Sequence, residues 1–217
     1  IKPSKMDVNV QENDGRLGVL IAEPLERGFG LTLGNSLRRI LLSSLQGAAI
    51  TSVKIKGVVH EFSTIPGVKE DLTDILLNLK AVGIKVHSPG LKKMYLTTKG
   101  PGEIRAGNFE TDSETEIMNP DQIIMTLDSN ADIELEANID TGKGYLSAEV
   151  AEDDEKIIGE IKLDAMFSPV TRASYKIENS RVGQVTDYDK LILEVETNGA
   201  VSPDDAIALA ARILQDQ

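Results

Sequence analysis

The sequence predicts an α+β protein in which β-structure dominates. Two segments, 32–45 and 72–82, space their apolar residues by three and four, which is typical of helices, and a third helix is expected at 204–214 from its start signals. Around them, short runs alternate apolar and polar residues, and turns rich in Pro, Gly and Asn separate these runs. The 217 residues are enough for one large domain or two small ones.

The first helix, 32–45, follows a turn that contains several glycines. We expect Thr32 or Asn35 to cap its start and Gly47 to mark its end. Its apolar stripe is Leu33, Leu37, Ile40, Leu41 and Leu45.

The middle of the chain combines one helix with many short strands. An extended run, 49–60, leads through a loop to the second helix, 72–82, which Asp71 caps. Residues 84–150 are rich in alternating runs and turns, so they predict several strands. Further strands are expected at 157–170, 173–178 and 190–196.

The last helix, 204–214, has strong start signals. Ser202 is an N-cap residue, Pro203 suits the first helical position, and Asp204 and Asp205 favour the positive end of the helix dipole. The helix is apolar on nearly every side, whereas a surface helix of a monomer has a polar face. We infer that it is buried on two sides or packs against another chain.

The composition excludes several classes of protein. The chain has 23 Lys and Arg residues against 35 Asp and Glu, a formal net charge of −12, so its bulk repels a phosphate backbone. It has no cysteine, which removes disulfides, thiolate nucleophiles and cysteine-based metal sites. Its apolar segments are far shorter than the roughly 20 residues that cross a bilayer, so we expect no membrane contact.

The residues that could carry chemistry are few and scattered. The glycines at positions 28, 30 and 34 miss the dinucleotide-binding spacing by one residue. His60 follows a β-run and His87 lies in a turn, and neither belongs to a Ser/His/Asp set. We therefore predict no catalytic, cofactor-binding or metal-binding residue.

An arginine pair in an acidic chain is the unusual feature of the first helix. Arg38 and Arg39 are adjacent, and the apolar Leu42 lies near them, away from the inward stripe. A solvated helix face is one interpretation. The other is a protein interface, because interfaces favour arginine and apolar anchors.

Residues 23–45, EPLERGFGLTLGNSLRRILLSSL, closely resemble the signature of the bacterial RNA polymerase alpha subunit, in its N-terminal domain. Blocks within 60–80 and 167–199 agree with the same family and occur in the same order. The resemblance covers nearly the whole chain.

The resemblance implies a cytoplasmic, non-catalytic assembly scaffold of DNA-directed RNA polymerase that acts in transcription. In this family the N-terminal domain forms a homodimer and nucleates binding of the beta and beta-prime subunits, mainly one to each protomer. The implied fold has a dimerisation subdomain made from both chain ends, 1–46 and 170–217, and an inserted β-rich subdomain, 47–169. The implied dimer contacts are Leu33, Leu37, Ile40, Leu41, Ile207, Ala210 and Leu214.

The resemblance also assigns partner contacts. The implied beta-subunit contacts are Arg38, Arg39, Leu42, Glu61, Phe62, Ser63, Thr64 and Lys80. The implied beta-prime contacts are Asp164 and Ala165. The family's C-terminal DNA-binding domain is not among the matching residues, so we expect no direct nucleic-acid binding by this fragment.

Three questions stay open at this point. The acidic run 152–155 aligns with a region that some activators touch in related polymerases, and a solvated loop is the alternative. A protein–protein scaffold outside polymerase could use the same dimer fold. A hydrolase or transferase that uses scattered carboxylates is the reading from a different functional class.

Overall fold

The computed structural model describes residues 3–11, 14–150 and 157–217. The acidic run 152–155 lies outside these residues. The chain divides into two compact units. Ile1–Leu45 with Ser168–Gln217 forms the terminal unit, and Gln46–Phe167 forms the central unit.

The described part of the chain forms three α-helices and a larger number of strands. The helices are α1 Phe29–Ser43, α2 Leu72–Lys80 and α3 Pro203–Asp216. The strands are β1 Lys5–Val10, β2 Leu17–Leu25, β3 Gln46–Ile55, β4 Ile84–Val86, β5 Lys92–Lys99, β6 Gly102–Arg105, β7 Thr115–Ile117, β8 Ile123–Leu127, β9 Asp132–Lys143, β10 Tyr145–Leu146, β11 Glu160–Lys162, β12 Ala165–Met166, β13 Val170–Val182 and β14 Val185–Thr197. The predicted β-rich α+β class is confirmed.

The terminal unit is an antiparallel sheet with two helices on one face. Its strand order is β1-β2-β14-β13. Alternate residues of β2 are buried, as the period of two requires for a half-covered sheet. The helices α1 and α3 contact each other and pack over Leu20, Leu193 and Val195. The sheet therefore holds α1 in place along its inner stripe.

The helix α1 begins earlier than the sequence predicts. Its N-cap is Gly28, in a left-handed conformation with φ 87°, and neither Thr32 nor Asn35 has that role. Asp189 replaces a local cap, because its Oδ2 accepts hydrogen bonds from the backbone N–H of Gly28 at 2.9 Å and of Gly30 at 3.1 Å. The predicted start was wrong because the capping carboxylate comes from β14, far along the chain.

The start of α3 agrees with the sequence prediction. The Oγ of Ser202 accepts a hydrogen bond from the backbone N–H of Asp205, and Pro203 occupies the first turn. The helix buries Ala206, Ile207 and Ala210 and leaves Leu209 47% exposed. Within its own unit α3 thus covers one face only, and apolar atoms remain on the other.

The central unit builds its core between α2 and antiparallel strands. The main sheet has the order β5-β9-β3-β4-β7, and β11 pairs with β3. Two small sheets, β6-β8 and β10-β12, accompany it. The predicted buried stripe of α2 is confirmed: Leu72, Ile75, Leu76 and Leu79 are all buried.

The sequence predicts one strand over 157–170, and this prediction was wrong. The segment contains β11, β12 and the first residue of β13. The short β11 lies along β3, where the backbone N–H of Leu163 donates to the carbonyl of Thr51 at 2.8 Å. The chain then leaves β3 and pairs with β10. Local alternation could not reveal this change of partner strand.

Candidate functional site

The outer face of α1 presents the arginine pair to solvent. Arg38 and Arg39 are both exposed, and Leu42, one turn further on, is 40% exposed. Residues separated by three or four positions lie on the same side of a helix, so Arg39 and Leu42 form one continuous surface. This surface combines a charged and an apolar group, as interface anchors commonly do.

The two arginines have different surroundings. The Cζ atom of Arg38 lies 5.7 Å from the centroid of the Tyr175 ring, which is within the range of a cation–π contact. The Arg39 side chain forms no ion pair or hydrogen bond with any described residue, and the Arg39 backbone carbonyl accepts a hydrogen bond from the Ser43 Oγ at 2.6 Å. The guanidinium of Arg39 is therefore the one that is available to another molecule.

The dimer contacts implied by the resemblance fall into two groups. Leu37, Leu41, Ile207 and Ala210 are buried in the core of the terminal unit. Leu33, Ile40 and Leu214 are only partly buried, so these side chains keep surface that a second copy could cover. The dimer contact itself remains a prediction.

Sequence reasoning did not single out the most exposed apolar residues of these helices. Phe29 is 54% exposed and Leu31 is 56% exposed, both in the first turn of α1, and Leu209 lies exposed on α3. For Phe29 and Leu31 the missed signal was the helix start, because α1 begins at Phe29 and these two side chains belong to a helix and not to a turn. With Leu209 they leave apolar surface on the outer sides of both helices.

The central unit contains an open groove of about 940 Å³. Its lining includes Glu61, Phe62, Leu77, Lys80 and Asp164. Phe62 is 79% exposed among the described residues, an unusual degree of exposure for a large aromatic side chain. Ser63 and Thr64 continue the same loop beyond the groove.

The groove brings together two residues that the resemblance assigned to different partners. The Nζ of Lys80 donates to the Oδ2 of Asp164 at 2.9 Å, and the backbone N–H of Ala148 donates to the Oδ1 at 2.9 Å. These hydrogen bonds lower the pKa of Asp164. The bond from Ala148 is the larger cause, and the bond from Lys80 is the second. Asp164 is thus a fixed carboxylate on the wall of the groove.

Ala165 differs from its neighbour. Its side chain is 1% exposed, because β12 turns it toward the interior of the central unit. It has no surface to offer a partner in this conformation, and Asp164 is the accessible member of the implied beta-prime pair.

No helix among the described residues is long and apolar enough to cross a bilayer. These residues contain no group of three or more His, Asp and Glu side chains that could hold a metal ion.

A protein-family model matches residues 53–168, more than half of the chain, and its description is the RNA polymerase Rpb3/RpoA insert domain. The chain belongs to this family. It is an RNA polymerase alpha-type subunit, as the resemblance of residues 23–45 implied.

One of the two candidate surfaces, the groove, lies inside the matched segment, and the other, formed by Arg39 and Leu42, lies outside it. All the groove residues named above lie within the matched segment, which falls almost wholly in the central unit. The surface formed by Arg39 and Leu42 lies outside the matched segment, on α1 of the terminal unit.

Proposed function

We propose that this alpha-type subunit is a non-catalytic assembly scaffold of DNA-directed RNA polymerase. It forms a homodimer through the helices of the terminal unit and binds the beta and beta-prime subunits. The observation that carries the proposal is the exposed guanidinium of Arg39, which pairs with no described residue, beside Leu42 in a member of this family.

Apolar surface on α1 and α3 supports the homodimer. Phe29 and Leu31 on α1 and Leu209 on α3 would each transfer apolar area out of water on association. A twofold dimer uses the same patch on both copies, so each exposed residue contributes twice.

The Lys80–Asp164 ion pair supports a division of partners between protomers. The two side chains are in direct contact, so one groove has no room for two different large subunits that each bind one of them. A homodimer supplies two copies of the groove. One copy then serves beta and the other beta-prime.

Capture of the large subunits by an Arg39→Ala dimer tests the proposal. We expect it to lose about 2 kcal/mol of beta binding, or about 30-fold in affinity, as for a central interface arginine. Light scattering should still show a dimer, because the exposed Arg39 side chain makes no ion pair or hydrogen bond with any described residue. Arg27→Ala is the matched control, since Arg27 is also an exposed arginine of this unit but pairs with Asp187 at 3.4 Å.

Two results would contradict the proposal in different ways. If the Arg39→Ala dimer binds beta as tightly as the parent, Arg39 is not the beta contact. If the parent forms a dimer but captures neither beta nor beta-prime, the chain is a scaffold of a different assembly.

A further inference from the structure

We propose that Arg38 and Tyr175 form a clamp that fixes α1 on the sheet of the terminal unit. Arg38 is then a positioning residue for the Arg39 surface and does not contact the beta subunit itself. This inference rests on the proposed function of Arg39.

The clamp has two points of contact on one side of α1. Tyr175 lies on β13, at the edge of the four-stranded sheet, and is half-buried. Gly34 lies so close to the ring that an added Cβ would come within 2.6 Å of the Tyr175 Cδ2. Arg38, one turn later, lies 5.7 Å from the ring centroid. The ring is therefore covered by residues four apart on the same helix face.

The chemistry of Arg38 fits an internal role. No described residue forms an ion pair with it, so the ring is its contact within the unit. A guanidinium over an exposed aromatic face changes an equilibrium constant by about two- to fivefold, and its aliphatic stem also covers part of the ring. Such a contact helps to hold a helix in position, although it is not part of the hydrophobic core.

Arg39 has the opposite arrangement. It follows Arg38 by one residue, which turns its side chain by about 100° around the helix. Its guanidinium has no partner among the described residues. If the clamp is lost, α1 gains freedom to shift on the sheet, and the Arg39 and Leu42 side chains lose their fixed position. We expect partner binding to weaken without the loss of any contact to the partner.

The experiment measures the dissociation constant between the dimer and purified beta subunit as a function of salt concentration. The variants are Arg38→Ala, Tyr175→Leu, their double variant and Tyr175→Phe, with Arg39→Ala as the reference for a direct contact. Circular dichroism at the measuring temperature verifies that each dimer is folded. If Tyr175→Leu does not fold, Arg38→Gln, which keeps much of the stem, is compared with Arg38→Lys, which keeps the charge.

A clamp predicts a specific pattern. Arg38→Ala and Tyr175→Leu each weaken beta binding by about two- to fivefold, and the double variant is no weaker than either. Tyr175→Phe restores parental binding because it keeps the ring. The salt dependence of binding changes less for Arg38→Ala and Arg38→Gln than for Arg39→Ala, since only Arg39 contacts the partner directly.

The outcomes that overturn the clamp are distinct from those that overturn the proposed function. The clamp is wrong if Arg38→Ala binds beta like the parent, if it makes the salt dependence as shallow as Arg39→Ala does, or if its effect adds fully to that of Tyr175→Leu. Normal beta binding by Arg39→Ala overturns the proposed function, and the positioning role of the clamp falls with it.

Discussion

The helices of the two units use their surfaces in different ways. In the central unit, α2 packs four apolar residues into one continuous core and exposes a single large apolar side chain, Leu77, which lines the groove. In the terminal unit, the core is divided into two smaller clusters. There α1 and α3 carry apolar residues on their outer sides as well, at Phe29, Leu31 and Leu209.

This difference separates residues that hold a unit together from residues that are left for a partner. A helix with one apolar face is satisfied by its own sheet, whereas a helix with two such faces retains apolar area in water. Four experiments, each with a matched control variant, test this distinction.

The largest effect is expected in the core of the central unit. Leu79→Ala removes a side chain with 0% exposure from α2, and we expect it to lower the free energy of unfolding by about 2–5 kcal/mol. Leu77→Ala, on the same helix but 57% exposed, should change it by no more than about 0.5 kcal/mol. Urea unfolding of both variants gives the comparison. Equal costs would mean that α2 has no distinct inner and outer faces.

The second effect concerns association of the terminal unit. Leu209→Glu places a carboxylate on the apolar outer side of α3, and we expect self-association to weaken by at least about tenfold, or 1.4 kcal/mol. Leu91→Glu is the control, because Leu91 is 63% exposed but belongs to the central unit. Sedimentation equilibrium measures both. A Leu209→Glu chain that dimerises like the parent would show that this side of α3 is simply solvated.

The third effect tests the cap of α1. Asp189→Ala removes the carboxylate that accepts from the N–H groups of Gly28 and Gly30, and we expect a loss of about 1 kcal/mol in the free energy of unfolding. Asp187→Ala breaks only an exposed ion pair with Arg27 and should cost less than about 0.5 kcal/mol. Thermal unfolding distinguishes the two variants. Similar losses would indicate that the bonds of Asp189 do not stabilise the helix start.

The smallest effect is a pH dependence in the groove. The pKa of Asp164 in the folded chain lies below its ordinary value of 3.8, because the N–H of Ala148 and the Lys80 ammonium stabilise the carboxylate. The resulting stabilisation is fully present above the unfolded pKa and is lost as the pH falls through the folded pKa. Its size is below about 1 kcal/mol, since the side chain is 36% exposed.

Comparison with Asp164→Asn measures that dependence. The parent should be more stable than the variant at neutral pH, and the difference should shrink as the pH falls below 3.8. Lys80→Met leaves the hydrogen bond from Ala148 to Asp164 in place. It should therefore lose only part of the pH-dependent stabilisation that the parent has over Asp164→Asn. A difference that grows on acidification would contradict the assigned causes.

Part of this architecture could be predicted from local sequence because its causes act within a few residues. The period of Leu72, Ile75, Leu76 and Leu79 is enough to predict a helix and its buried side. The start of α3 follows from Ser202 and Pro203, which lie next to the helix that they begin. The family signature in residues 23–45 is likewise a continuous string.

Other features depend on residues that only the fold brings together. The start of α1 is fixed by Asp189, 161 residues from Gly28 in the sequence. The different surroundings of Arg38 and Arg39 depend on Tyr175 from another strand, and the carboxylate on the wall of the groove is paired with a lysine 84 residues away. Short-range spacing is enough to predict the three helical segments, their apolar faces and the family resemblance. Three features depend on contacts between distant segments, which no local pattern encodes: the start of α1, the contact of Arg38 with Tyr175 and the ion pair of Lys80 with Asp164.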